Sequence, residues 1–278
     1  MNGFRRAAAS STQHVRTSRG SFCLRSSAGR RRHSSSASSS STILTIPSAA
    51  DHRATLIFLH GLGDTGQGWF DPLYYLSRQL QHFRIVLPTA PVRPITLNGG
   101  MRMPGWYDIK DLSGDRQDLE DYEGLSQTKE FVLGLVEKEL EQGNGGGNPT
   151  QQQQQPLTEQ NIFLGGFSQG AASALHTAYY CGKYRLGGVI ALSGYLPFAS
   201  QCAQMVVGRS KEIPLLMCHG LEDEVVLYEW GQQSFAQLKK AGVNGTFRTY
   251  EGLGHSCCDQ ELIDMQRFLL DNTNVQKS

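Results

Sequence analysis

A chain of 278 residues with 18% charged residues and a formal net charge of +1 has the length of one α/β domain with extensions, or of two small domains. The near-neutral total conceals a division, because residues 1–50 hold eight arginines and no acid; taking those eight from 26 Lys and Arg leaves 18 bases against 25 acids, or −7. That mildly acidic body argues against a nucleic-acid-binding core, and no run of 18 apolar residues exists to form a spanning helix.

In chain order, residues 1–42 are rich in Arg and Ser and too poor in apolar side chains to order themselves. Their composition fits a disordered tail and a mitochondrial or plastid transit peptide about equally. No apolar core of a secretory signal is present, and the cysteines at 23, 181, 202, 218, 257 and 258 form neither a C-x-x-C pair nor a disulfide framework. The expected setting is therefore reducing and cytoplasmic, with an organelle as the alternative. The folded domain is expected over residues 43–278.

Residues 42–47 and 55–59 read as strands, the second apolar on both faces like a covered parallel strand. Residues 70–79 follow as a helix and 83–88 as a strand. Residues 89–107, with Pro91, Pro94, Pro104 and three glycines, read as a shaped loop. Residues 125–140 form a helix whose buried stripe is Phe131, Val132, Leu135, Val136 and Leu140. The Gly- and Gln-rich segment 143–156 is a low-complexity surface excursion, expected to be disordered and remote from any chemistry. Strand 161–164, a turn and a helix come next. Strands at 186–192, 214–218 and 246–250 then alternate with helices at 227–241 and 261–270. The alternation predicts an α/β fold with a mostly parallel central sheet covered by helices on both faces.

The turn after residue 164 is Gly166-Phe167-Ser168-Gln169-Gly170. A G-x-S-x-G set between a strand and a helix exposes a serine hydroxyl at the top of an α/β-hydrolase sheet. That hydroxyl needs a base, and the base needs a carboxylate to fix its tautomer and stabilise its cation. His255 lies just beyond strand 246–250 and Asp223 just beyond strand 214–218, giving the chain order Ser, acid, His with each group after a strand. Glu222 and Glu224 flank Asp223 as competing acids, with a surface acidic turn as their ordinary reading; Asp259 is too near His255 in sequence to reach its far ring nitrogen comfortably. His60 and His219, each before a glycine at a strand end, read as turn-stabilising residues, and His176 as a packed or surface helical residue. Cys257-Cys258 reads as local packing, no cluster has metal-ligand spacing, and no cofactor motif is present. For an oxyanion, the Gln169 amide at the helix N-terminus and the Leu62 amide in the Gly-rich loop after Leu59 are the candidate donors.

These motifs, with Leu59-His60-Gly61-Leu62-Gly63-Asp64-Thr65-Gly66, Pro88-Thr89-Ala90-Pro91, Trp106-Tyr107-Asp108-Ile109, Leu192-Ser193-Gly194, His219-Gly220 and Tyr250-Glu251-Gly252, resemble the acyl-protein thioesterase family, relatives of small carboxylesterases and lysophospholipases. The resemblance covers roughly residues 51–271. It implies a nucleophile at Ser168, an acid at Asp223, a base at His255 and oxyanion amides at Leu62 and Gln169, without cofactor or metal. The implied substrates are S-acylated, notably palmitoylated, proteins or lysophospholipids, met through transient membrane-surface contact. It also implies an acyl channel beside residues 91–106, for which Leu97, Met101, Met103 and Trp106 are candidate lining residues; ordinary packing under a long loop accounts for them nearly as well. Ala171 stands where the family usually has a second glycine, and Leu221-Glu222 where many relatives have Asp and a small residue. A non-catalytic binding protein on a hydrolase scaffold is the reading from another class; loss of Ser168, Asp223 or His255 would favour it, and all three are present.

Overall fold

The computed structural model describes residues 42–111, 120–143 and 156–273. Most of the Arg/Ser-rich tail and of the Gly/Gln-rich segment lies outside the described residues. The strands are β1 (Ile43–Ile46), β2 (Ala54–Leu59), β3 (Phe83–Pro88), β4 (Val92–Ile95), β5 (Met101–Pro104), β6 (Ile162–Phe167), β7 (Gly188–Leu192), β8 (Leu215–Gly220) and β9 (Gly245–Tyr250). The helices are α1 (Phe70–Ser77), α2 (Tyr122–Gly143), α3 (Gln169–Cys181), the single turn α4 (Cys202–Met205), α5 (Tyr228–Lys240) and α6 (Asp259–Asn272).

Seven strands form one sheet in the order β1-β3-β2-β6-β7-β8-β9. All pairings are parallel except that of β1, which lies antiparallel on the edge against β3. Period-two alternation along each buried strand feeds two separate cores. Ile57 and Leu59 of β2, Ile162 and Leu164 of β6, Val189 and Ala191 of β7, and Leu215 and Met217 of β8 face the core shared with α2, α3 and α5. Their neighbours Leu56, Phe58, Phe163, Ile190, Leu192, Leu216 and Cys218 face the opposite core, closed by α1 and α6. At roughly 1.5–3 kcal/mol for each large side chain buried, a one-residue slip in any of these strands would exchange the two faces and lose both cores.

Two elements depart from the sequence reading. Residues 89–107 contain a two-stranded antiparallel ribbon, β4 against β5, pairing Val92 with Pro104 and Ile95 with Met101. Helix α2 begins at Tyr122, three residues before the expected start, because Asp121 accepts a hydrogen bond from the Gly124 N–H (3.0 Å) in the manner of an N-cap.

Candidate active site

Ser168 sits between the end of β6 and the start of α3 with φ 55° and ψ −119°, a backbone conformation that L-residues rarely adopt. The strain is held in place from several sides. The Ser168 N–H donates to the Leu192 carbonyl (2.9 Å) and its own carbonyl accepts from Ala172 (3.0 Å). The flanking glycines explain the motif: a Cβ on Gly170 would collide with the Leu59 carbonyl, and one on Gly166 with the Gly170 backbone. Helix α3 therefore packs directly onto the ends of β2 and β6, and the hydroxyl is turned outward at the carboxyl end of the sheet.

The loops after β8 and β9 bring the two partners. Leu221 N–H donates to the Tyr250 carbonyl and Glu222 N–H to the Leu253 carbonyl (both 3.0 Å), so the acid-bearing and histidine-bearing loops are laced together by backbone. His255 Nδ1–H donates to Asp223 Oδ2 at 2.8 Å, and Ser168 Oγ–H donates to His255 Nε2 at 3.0 Å. Asp223 Oδ1 accepts the Val225 and Val226 N–H groups, each at 2.9 Å. Burial opposes ionisation of Asp223, yet hydrogen bonds from His219, His255 and those two amides outweigh it and hold the carboxyl well below the usual range. The Phe167 ring lies 4.8 Å from that of His255, and Trp69 backs Phe167 at 5.3 Å. This is the arrangement that activates a hydroxyl as a nucleophile.

His60, His219 and His176 are held as structural groups. His60 is buried; its Nδ1–H donates to the Gly61 carbonyl (2.7 Å) and its Nε2 accepts the Ala90 N–H (2.9 Å), which sets the tautomer. Burial lowers its pKa further. His219 Nε2–H donates to the Val226 carbonyl (2.8 Å), bracing the turn that presents Asp223, with Asp223 Oδ2 also 3.5 Å away. His176 packs against Tyr180 and Phe198, and burial pushes its pKa down to about 4. Burial raises the Cys257 and Cys218 thiols, which suppresses the reactive thiolate.

Gln169 opens α3 directly after Ser168, so its N–H has no acceptor within the helix. Opposite, the loop after β2 is fixed by Gly63 N–H to the Pro104 carbonyl (2.8 Å) and Asp64 N–H to the Gly61 carbonyl (3.2 Å), with Leu62 between them. A cavity of about 550 Å³ opens over Ser168 and His255, lined by Leu62, Leu97, Ile109, Phe167, Tyr195 and Val226 among others.

Of the four residues proposed from sequence for an acyl channel, Leu97 lines this cavity. Trp106, Met101 and Met103 are not in its wall. Trp106 is buried between His60 and Phe131 and donates its indole N–H to the His60 carbonyl (2.8 Å). Met101 is 64% exposed on the ribbon. Met103 accepts a hydrogen bond from Asn98 Nδ2 through its sulfur at 3.3 Å. Ile109, Phe167 and Tyr195 line the cavity without having been named as lining residues from sequence, although Phe167 and Ile109 lie within the quoted motifs and Tyr195 directly follows one.

The sequence profile of the Phospholipase/Carboxylesterase family matches residues 42–273. The chain belongs to that family. It is 43% identical over 219 residues to acyl-protein thioesterase 1 homolog 1 of Dictyostelium discoideum, covering 78% of this chain and 90% of that protein. It is 39% identical over 235 residues to acyl-protein thioesterase 1 of Neurospora crassa, covering 82% and 90%. The crystal structure of Zea mays acyl-protein thioesterase 2 superposes with a TM-score of 0.68 at 31% identity, covering 83% of this chain and 98% of that one. Arabidopsis thaliana SOBER1 gives 0.67 at 31%, covering 79% and 99%. The fold is that of the α/β-hydrolases, as the strand–turn–helix around Ser168 predicted.

Proposed function

We propose that this family member hydrolyses fatty-acyl thioesters on protein cysteines, with Ser168 as nucleophile, His255 as base and Asp223 as the acid that orients it. The observation that carries the reading is the continuous hydrogen-bonded chain from Ser168 Oγ through His255 to Asp223, at 3.0 and 2.8 Å, under a cavity with apolar walls. Its similarity to proteins named acyl-protein thioesterases supplies the substrate class.

In this mechanism Ser168 Oγ attacks the thioester carbonyl carbon while His255 Nε2 takes its proton, and Asp223 stabilises the imidazolium. The Leu62 and Gln169 N–H groups receive the oxyanion. The carbon–sulfur bond breaks, and His255 Nε2–H returns its proton to the departing sulfur. Water deprotonated by His255 then attacks the acyl-serine, releasing the fatty acid and restoring the hydroxyl. A thiol of pKa near 8.5 is a good leaving group, so recognition of the chain carries more of the selectivity than the leaving group does.

A lysophospholipid is the second reading: it presents the same chain and carbonyl, and the family's description includes phospholipases. Transient contact with a membrane surface belongs to this proposal too, supported by the exposed Val92, Leu97 and Met101 on and beside the ribbon. The test is initial rates of wild type and Ser168→Ala on an S-palmitoyl-cysteine peptide and on a palmitoyl lysophospholipid, with mass spectrometry for acyl-serine. Dominant thioester turnover that vanishes in the variant is expected. Dominant lysophospholipid turnover would move the assignment to lipid hydrolysis, and folded protein with no Ser168-dependent turnover would leave a binding protein.

A further inference from the structure

Gln169 directly follows Ser168, and its side chain has partners of its own. Buried to 2% exposure, the carboxamide grips the strap that follows the ribbon: Oε1 accepts the Trp106 N–H at 2.9 Å, and Nε2 donates to the Tyr107 carbonyl at 2.7 Å. The two bonds fix the amide orientation, since one partner only donates and the other only accepts.

The run 106–109 in turn carries one wall of the cavity. Tyr107 shares a hydroxyl hydrogen bond with Tyr195 (2.8 Å), and burial keeps both phenols protonated, Tyr195 pushed up to about 12. Asp108 accepts the Thr96 N–H (2.7 Å) and hydroxyl (2.6 Å), and the Ile109 carbonyl accepts the Leu97 N–H (2.8 Å). Tyr195, Ile109, Leu97 and Asn98 all line the cavity. At Gly105 the convergence is tight: a Cβ there would stand 3.1 Å from both Leu62 Cδ1 and Ile95 Cδ1, and 3.6 Å from Gln169 Oε1.

We propose that the Gln169 side chain is a positioning residue for acyl-chain selection: it registers the Leu97–Ile109–Tyr195 wall to the Ser168 turn, so that a long chain finds the wall at the correct distance from the nucleophile. The inference rests on the hydrolase reading above. A carboxamide is required because Glu keeps the acceptor for Trp106 but sets a carboxylate against the Tyr107 carbonyl, while Met keeps the length and loses both bonds. Short acyl groups do not reach the wall and depend on it less.

The experiment measures kcat and KM for acetyl, octanoyl and palmitoyl thioesters in wild type, Gln169→Met and Gln169→Glu, with thermal melting as the fold control. Binding of a fluorescent palmitate-length fatty acid is followed in parallel in Ser168→Ala protein with and without Gln169→Met. The palmitoyl-to-acetyl ratio of kcat/KM is expected to fall at least about tenfold in Gln169→Met, chiefly through KM, with Gln169→Glu between it and wild type; fatty-acid binding should weaken by a similar factor. An equal loss for every chain length, or an unchanged ratio with unchanged fatty-acid affinity, overturns the inference. Wild type that turns over no acyl substrate defeats the hydrolase reading separately, and the binding arm still judges the wall.

Discussion

The turn that carries Ser168 and the strap over residues 92–109 meet at one cavity but are built by different means. The turn is a backbone construction: glycines that admit no Cβ, a serine held at positive φ, and main-chain hydrogen bonds to β7 and within α3. The strap keeps its own shape through main-chain bonds, the β4–β5 ribbon and Leu97 N–H to the Ile109 carbonyl among them, but three of its ties to the rest of the fold are side chains: the Gln169 carboxamide, the Tyr107–Tyr195 hydroxyl pair and the Thr128 hydroxyl on the Trp106 carbonyl. Backbone constructions tolerate little variation, whereas side-chain brackets can change one at a time. On the proposed function, reactivity and selectivity fall to parts of different tolerance.

Substitutions should separate the two. The largest effect is expected from Asp223→Asn, which leaves the packing in place but removes the carboxylate that selects the His255 tautomer; kcat should fall about 10⁴-fold, and steady-state kinetics at neutral pH would show it. Gly170→Ala comes next, forcing a methyl into the Leu59 carbonyl. A loss of about 1–3 kcal/mol in urea unfolding is expected, together with activity lost on all chain lengths. If Gly170→Ala instead altered chain preference, the contrast between the two regions would fail. Tyr107→Phe on the strap should cost about 1 kcal/mol of stability and shift chain-length preference, read as a ratio of kcat/KM values.

A pH-dependent effect is expected at the rear of the histidine loop, where Glu261 is fully buried at the start of α6 and accepts the Cys258 N–H at 3.0 Å. Burial raises its pKa from 4.5 to about 7. The folded state therefore holds this proton more tightly than the unfolded chain. The associated stability is complete below about pH 4.5 and is lost as pH rises through about 7. Glu261→Gln should melt higher than wild type at pH 8, with the gap closing or reversing near pH 5, and melting curves across that range would test it.

How much of this was legible in the sequence follows the same division. Ser168, Asp223 and His255 could be picked out because each follows a strand and their chain order is distinctive, and the structure joins those three side chains by hydrogen bonds. The β4–β5 ribbon was hidden because Pro94, Pro104 and Gly99-Gly100 are turn and loop formers; an isolated ribbon tolerates them where a central strand would not. Trp106 looked like a channel residue because it is apolar and lies in a long loop, yet His60 and Phe131 enclose it. The Gln169 bracket joins groups more than sixty positions apart, and no local pattern announces such a bond. The antiparallel β1 was equally silent, since an edge strand's direction depends on the partner it finds.

A seven-stranded sheet has one middle strand, and here it is β6, with three strands on either side. Ser168 therefore follows the strand most remote from both edges, where amide protons exchange only through the largest openings. The ribbon is a separate two-stranded sheet and belongs to no part of that one. Under rising denaturant the enzyme should first become indifferent to chain length while still cleaving small esters, and lose hydrolysis only with the collapse of the sheet.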